Sequence, residues 1–301
     1  MLKVLLTALV RRLCRLHLLT PVGVARLKYV WKLHRWPHFR HPRDLNEKIN
    51  YLKFYTDTSA WVPLTDKYAV RQIIADKGLA DILVTLYGRW TAADAIDWDS
   101  LPQRFVMKCN NGSGDIILCN DKDTLDRQLT ADYFRRMLQR RFGTESGEPH
   151  YAAIPPCIIA EELLDASKQA SPSSSLIDYK IWCFNGKPAY IYCCANRHHY
   201  HAEVALFDTD WQFLPQYMIF TDHYRRPATL PSRPHTLDRM LDIAARLAEG
   251  FPQVRVDLYE VDRRVYFGEM TFTSQGGYMD YFTPDFLRLT GDMTTLPDNA
   301  S

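Results

Sequence analysis

Two β-rich runs near the end of the chain, Val254–Glu260 and Val265–Phe272, flank a polar turn at Val261–Arg264. Both alternate polar with apolar residues. Successive side chains of a strand point to opposite faces, so Arg255 and Asp257 leave one face while Val254, Val256 and Leu258 take the other. On the second run Glu269, Thr271 and Thr273 alternate with Met270 and Phe272. Paired as a hairpin, the two runs bring Asp257 and Glu269 together across the ladder, close enough to share one cation. Such a pattern demands a sheet with one apolar face against a core. The polar face either carries chemistry or is a solvated surface whose charges pair with Arg255 or Arg263.

Other runs repeat the strand period. Tyr179–Phe184 and Pro188–Cys194 surround the turn Asn185-Gly186-Lys187, a strong hairpin signal, and Val204–Phe207 with Trp211–Leu214 reads as another. Leu237–Phe251 instead sets Leu237, Met240, Leu241, Ala244, Leu247, Ala248 and Phe251 on one helical stripe. Upstream, Phe105–Cys109 and Ile116–Cys119 are short apolar strands joined by the polar loop Asn110–Asp115. A helix from about Leu125 to Arg141 and the buried-type strand Cys157–Ala160 follow. Strand–loop–strand–helix–strand is a small α+β lobe. Asn46–Tyr55 and Asp66–Lys77 read as helices, Lys168–Ser175 as the clearest flexible loop and Gly143–Glu148 as a second. The expected class is α+β: a basic segment at 1–43, a helical region at 44–104, a small lobe at 105–163 and a large lobe at 164–301.

Lys108 ends a strand, and after it Gly112, Ser113 and Gly114 can fold over a phosphate chain while the lysine supplies positive charge. This is not a Walker A loop, which needs GKS or GKT before a helix, whereas a strand follows here. Taken alone, a glycine-containing hairpin loop is more often merely a turn. Glu161 and Glu162 close a strand where the lobes change. A hinge of that kind can offer backbone groups and a carboxylate to an adenine or a ribose. Asp178 and Lys180 alternate on the next strand and face the same cleft, or else form an exposed sheet edge. Two carboxylates beside a triphosphate are the usual holders of Mg²⁺, with phosphate oxygens and water completing the octahedron.

Charge is unevenly spread. Residues 1–43 carry ten Lys or Arg and no Asp or Glu, which leaves 27 basic and 35 acidic residues for the remainder. The first 20 residues are no signal peptide, because Arg11, Arg12 and Arg15 interrupt a short apolar run. They read as a basic amphipathic helix with Leu5, Leu6, Leu9, Leu13 and Leu16 on one side. That helix lies on an anionic membrane face or packs its leucines on the protein itself. Nucleic acid is not an expected partner, since no nucleic-acid module accompanies the basic stretch. Seven cysteines at 14, 109, 119, 157, 183, 193 and 194 show no paired spacing, as expected of reduced thiols in a cytosolic protein. The cluster Arg197, His198, His199, Tyr200 and His201, near Cys193 and Cys194, matches no standard zinc module. It reads as a turn that contacts a carboxylate substrate or an acceptor.

Seven stretches, DLNEKINYLKFY, TDKYAVR, LPQRFVMKCNNGSGD, IIAEELL, DYKIWCFNGKP, VRVDLYEV and YFGEMTFTSQGG, occur in this order from about residue 42 to 291. Together they resemble the TupA-like branch of the ATP-grasp superfamily, named for a protein of teichuronopeptide biosynthesis. The resemblance implies an ATP-grasp fold, two α+β lobes clasping ATP. It implies that Lys67 and Lys108 reach the nucleotide phosphates and that Asn110, Gly112, Ser113 and Gly114 form the mobile covering loop. It further implies Glu161 and Glu162 at the adenine hinge, Asp178 at the ribose, and Asp257 and Glu269 as Mg²⁺ ligands. Arg255 matches a cationic residue near the transferred phosphoryl group. Thr271 stands where the wider superfamily usually has Asn, and its oxygen can ligate the metal or hold a metal-bound water. The SQGG stretch, Ser274–Gly277, departs from the proline-containing version of the wider pattern.

By this resemblance the chain is an ATP-dependent carboxylate–amine ligase working through an acyl phosphate. Its carboxylate and amine substrates are small molecules or glycans of cell-surface polysaccharide synthesis, handled in the cytoplasm at the inner face of the membrane. The competing classes are a glycosyltransferase of the same context, for which no DxD-like sugar-nucleotide site is evident, and a membrane-docked scaffold without activity. The ligase reading predicts that Lys108→Ala or Asp257→Asn abolishes ATP turnover and leaves the fold intact. ADP release together with circular dichroism checks both halves.

Overall fold

The computed structural model describes residues 20–140, 142–198 and 200–297. The leucine-rich helix expected over Leu5–Leu16, with Arg11, Arg12 and Arg15, lies outside the described residues, as do Arg141 and His199.

Helix α1, Pro21–Leu33, starts where Thr20 accepts from the Gly23 amide and Pro21 supplies a helix-ready φ; it ends at His34 in the left-handed region. Val24, Ala25 and Tyr29 are its buried face, packed with Phe39 and Tyr278. Helix α2, Leu45–Tyr55, is capped by Asp44, whose side chain accepts from the Glu47 amide at 3.0 Å. Its apolar side, Leu45, Ile49 and Leu52, is buried, and so are Asn46, Glu47, Asn50 and Lys53. These polar groups have partners far along the chain. Asn46 exchanges two 2.9 Å bonds with the Met279 backbone, Asn50 donates to the Gly277 carbonyl at 3.0 Å, and Lys53 donates to the Gly276 carbonyl at 2.8 Å. Gly277 must be glycine here: its φ is +80°, and a Cβ would stand 2.4 Å from the Asn50 amide nitrogen. Arg35 and Arg43 both pair with the fully buried Glu47. Lys28 donates to the Ser146 carbonyl, and Lys32 reaches Gln275 and Asp280. Among the described residues of the basic segment, Lys28, Lys32, Arg35 and Arg43 therefore neutralise or tie together other parts of the protein.

Short helices α3, Trp61–Thr65, and α4, Val70–Asp76, lead to the first sheet. It has strand order β1-β4-β2-β3, all antiparallel, from β1, Leu86–Trp90; β2, Phe105–Cys109; β3, Ile116–Cys119; and β4, Ile158–Glu161. Helix α5, Arg127–Leu138, buries Ala131 and Phe134 in a core with Phe105, Met107, Ile158 and Ala160. Strand β1 falls inside the region expected to be helical. Leu86–Trp90 carries Gly88 and Arg89 and pairs along one side only, so it lacks the apolar alternation of an interior strand. The loop expected at Gly143–Glu148 is partly helical: α6 spans Phe142–Ser146 and α7 spans Pro149–Ala152. Gly143 serves close packing there, since a Cβ would lie 2.3 Å from the Ala152 nitrogen.

The second sheet has the order β10-β9-β5-β6-β7-β8. Its strands are β5, Asp178–Phe184; β6, Lys187–His198; β7, His201–Asp208; β8, Tyr224–Arg225; β9, Gln253–Val261; and β10, Arg264–Thr271. Only β7 and β8 pair parallel. Hairpins turn at Asn185-Gly186 and Asp262-Arg263, both with positive φ at the two turn residues, the geometry that matches strand twist. One face carries Tyr179, Ile181, Cys183, Val254, Val256 and Leu258 against helix α8, Leu237–Ala248. On the other face Trp182, Phe184 and Tyr192 pack with Phe282, Leu45, Ile49 and Phe286, the last from helix α9, Pro284–Asp292. Between that cluster and the sheet edge lies a polar strip.

Parity on β10 explains how the strip forms. Leu258 faces Phe267, and Asp257 faces Glu269, so Gly268 is one residue too many and makes a bulge. Without the extra residue, Phe267 and Glu269 would point to the same side. The bulge lets Phe267 enter the core while Glu269 turns out beside Asp257. A Cβ on Gly268 would stand 2.9 Å from the Asp257 carbonyl oxygen and 3.0 Å from the Tyr259 ring. Gly268→Val is expected to cost about 1–3 kcal/mol through overpacking. An unchanged urea midpoint would show that the bulge does not need its glycine.

Candidate active site

The polar strip holds a dense ionic network. Arg255 grips Asp257 through both arms of its guanidinium, Nε to Oδ1 at 2.6 Å and Nη2 to Oδ2 at 2.7 Å. Lys180, directly across the ladder from Asp257, donates to the same Oδ2 at 2.6 Å. Burial opposes ionisation of Asp257, which is 1 % exposed, but Arg255 and Lys180 outweigh it and hold the carboxyl below its usual range. Arg255 Nη2 also donates to Glu269 Oε1 at 3.2 Å and to Thr271 Oγ1 at 3.1 Å, and Nη1 donates to Ser274 Oγ at 3.1 Å. One guanidinium nitrogen thus touches all three oxygen donors expected to hold a metal.

Asp178 completes the strip. It accepts from Arg197 Nη2 at 2.7 Å, pairs with Lys180 at 3.1 Å and bonds the Tyr259 phenol, whose proton its charge retains. Arg197 and His198 close β6, Tyr200 is in the turn expected after that strand, and His201 opens β7. Cys193 and Cys194 face opposite sides of that strand, and the Cys194 sulfur accepts from Arg197.

The small lobe supplies the facing wall. Lys108 pairs with Glu161 at 2.6 Å, and Arg71 takes the other carboxylate oxygen at 3.0 Å. Glu161 is therefore the countercharge of two cations, and losing Lys108 leaves it still paired. Lys67 Nζ donates to the Gly112 carbonyl at 2.5 Å and has no carboxylate within ion-pair distance among the described residues. Burial lowers its pKa against the pull of Glu269, while Lys108 pushes the same way as burial. Through Lys67, the two lobes share one electrostatic environment.

Asn110 anchors the glycine loop. It donates to Asp66 at 2.8 Å and to the Pro155 carbonyl at 3.1 Å, and accepts from the Cys157 amide at 2.7 Å. Gly114 has φ +82°, and Asp115 is held by Arg140 at 3.1 Å. Glu162 stands at the rim, accepting from the Thr85 amide and hydroxyl.

A cavity of about 480 Å³ joins the loop to the strip, with Ser113 on one side and Lys180, Arg255, Glu269 and Thr271 on the other. A larger groove of about 730 Å³ lies elsewhere, between Ser171–Ser174 and Pro227–Pro231. Among the described residues Glu203 is the only charged group in that lining, whereas the smaller space gathers Lys180, Arg197, Arg255, Glu148 and Glu269.

The residues fit a magnesium–nucleotide pair. Asp257, Glu269 and Thr271 converge on Arg255 Nη2, an oxygen set that accepts one positive charge; here that charge is Arg255's own, the pairing that the alternative reading of this strand face also expected. No group of three or more His, Cys, Asp or Glu that could hold a metal occurs among the described residues, so phosphate and water would supply the remaining ligands. Lys67 and Lys108 are not among the residues that line this cavity; Lys67 is within electrostatic reach of Glu269 and Lys108. Sequence reasoning missed Arg71 as a partner of Glu161 and Tyr259 as a partner of Asp178, because no periodicity encodes such pairs. It also missed Glu148, Tyr151, Lys28 and Gln275, which line the cavity from loops and α1.

A family model described as TupA-like ATPgrasp matches residues 47–294. No curated protein matches the chain. Similar solved structures include the D-alanine–D-alanine ligase from Bacillus anthracis, 17% identical with TM-score 0.45, over 79% of this chain and 68% of that one. The corresponding ligase from Helicobacter pylori is 14% identical with TM-score 0.44, over 85% and 70%. The ATP-grasp ligase PsnB, complexed with minimal precursor, is 13% identical with TM-score 0.42, over 80% and 64%.

Proposed function

This chain belongs to the TupA-like ATP-grasp family, and from that premise we propose that it is an ATP-dependent carboxylate–amine ligase. The observation that carries this reading is the meeting of Asp257, Glu269 and Thr271 around Arg255 Nη2, with Glu269 and Thr271 lining the same cavity as Ser113 of the glycine loop.

In this reading Lys67 and Lys108 draw the triphosphate into the cleft from the small lobe. Lys180 and Arg255 face it from the large sheet. When bound, Mg²⁺ neutralises phosphate oxygens at the Asp257–Glu269 edge. A substrate carboxylate oxygen attacks the γ-phosphorus, and the bond to the departing ADP oxygen breaks. Arg255 offsets the charge spread over the transferring group. An amine then attacks the acyl carbon, phosphate leaves, and an amide forms. No side chain of the protein becomes covalently attached, so its work is positioning and charge compensation.

The substrates proposed are a uronic-acid carboxylate and an amino-acid amine of a cell-surface polysaccharide. Peripheral attachment to the inner membrane face belongs to the same reading. It is supported by the exposure of Leu27, Trp31 and Trp36, at 48%, 48% and 63%, on and just after a helix with no acidic residue. Among the described residues no helix is long and apolar enough to cross a membrane.

A thermal-shift comparison of Mg-ATP with UDP-sugars tests the activity class, because a ligand that binds only the native state raises its apparent stability. Stabilisation by Mg-ATP is expected. Stabilisation by UDP-sugar alone would replace the ligase with a glycosyltransferase, and no response to either would leave a scaffold. Sedimentation with vesicles tests attachment: binding to phosphatidylglycerol vesicles but not to phosphatidylcholine is expected, and Trp36→Ala is expected to weaken it. Equal recovery with both lipids, or with neither, would remove the membrane from the proposal.

A further inference from the structure

Lys28, Lys180, Arg197 and Arg255 line the cavity with positive charge, and the Glu269 carboxylate among them is already held by Arg255. Glu148, between α6 and α7, is a second acid of the lining. It is 7 % exposed, yet it lines the cavity. Its backbone N–H bonds the Gly143 carbonyl at 2.8 Å, and Oε1 accepts from the Thr273 hydroxyl. Among the described residues no Lys, Arg or His stands within ion-pair distance of its carboxylate, and Oε2 has no hydrogen-bond donor. The nearby Lys53 amine is committed to the Gly276 carbonyl at 2.8 Å, and burial pushes its pKa down to about 7. Lys28 is directed to the Ser146 carbonyl at 3.0 Å.

A carboxylate that lines the cavity without an ion pair can receive a cation from the cavity side. Tyr151 lines the same cavity, within the electrostatic reach of Glu269, Glu148 and Arg255. An amine entering this cavity can therefore rest its ammonium on Glu148 and face an acyl phosphate held at Arg255, since both residues line the one space.

We infer that Glu148 binds the ammonium group of the amine substrate and takes its proton; this rests on the ligase reading above. The ammonium gives one proton to the Glu148 carboxylate, leaving a neutral amine and a carboxylic acid. The nitrogen lone pair then forms the bond to the acyl carbon, the bond from carbon to the phosphate oxygen breaks, and the second nitrogen proton leaves with phosphate. Thr273 is the positioning residue that orients the carboxylate.

Calorimetric titration of the full chain, saturated with Mg²⁺ and a non-hydrolysable ATP analogue, tests this with the twenty amino acids, glucosamine and ethanolamine as probes. At least one primary amine is expected to bind the wild type. Glu148→Gln is expected to weaken that binding about tenfold or more while nucleotide affinity stays within about twofold. Glu148→Asp, which keeps the charge, is expected to bind the amine more tightly than Glu148→Gln. Equal amine binding by wild type and Glu148→Gln overturns the assignment, as does Glu148→Asp no tighter than Glu148→Gln, or a wild type that binds none of the probes. A wild type that fails to bind the nucleotide analogue instead sinks the ligase reading, and a Glu148→Gln protein that fails to do so gives Glu148 a structural role.

Discussion

Asp257 is the charge on which the rest of the cleft depends. Its carboxylate is sealed in the large sheet and compensated from both sides, by Arg255 on its own strand and Lys180 on the next. Removing one partner from such a buried group costs several kcal/mol, because the charge left behind has no water to answer it. Arg255 also donates to Glu269, Thr271 and Ser274, and Lys180 pairs with Asp178 as well. The strand register brings these charges together. The apolar face behind them has the opposite role, holding the strands in that register against α8.

The two lobes answer each other electrostatically. On the small lobe, Glu161 balances Lys108 and Arg71, while Lys67 keeps a bare carbonyl for its partner. The large lobe is balanced within itself around Asp257. An anion entering the cleft would thus find cations on both walls, most readily Lys67, whose charge is the least compensated. Glu148, an acid with no ion pair among the described residues, lines the cavity together with Lys180 and Arg255.

Much of this was legible in the sequence wherever a periodic pattern carried it. The alternation around Arg255 and Asp257, the Asn185-Gly186 hairpin and the helical stripe from Leu237 each specify local structure from local residues. Lys67, Lys108 and the glycine loop were reachable through motif resemblance; of these Ser113 lines the cavity with Glu269 and Thr271, and Lys67 lies within electrostatic reach of Glu269. What escaped was non-local. Gly268 looks like an ordinary strand glycine until one counts which side Phe267 and Glu269 must take. Strand β1 is too short and too polar to announce itself. Asn110 reads as a phosphate-loop residue, yet its amide is spent on Asp66, Pro155 and Cys157. Arg35 and Arg43 enter the sequence only as part of the basic count over residues 1–43, and the structure has them neutralise Glu47 inside the fold.

The clasp between α2 and the turn over Gly276–Met279 links residues 223 to 233 positions apart. During synthesis α2 leaves the ribosome long before its partner exists, with Asn46, Asn50 and Lys53 still answered by water and Leu45 and Ile49 uncovered. Contacts of such sequence separation form late. A chain that stops before Gly276 lacks the clasp's partner, and the polar groups of α2 then stay unanswered whatever the state of the strands.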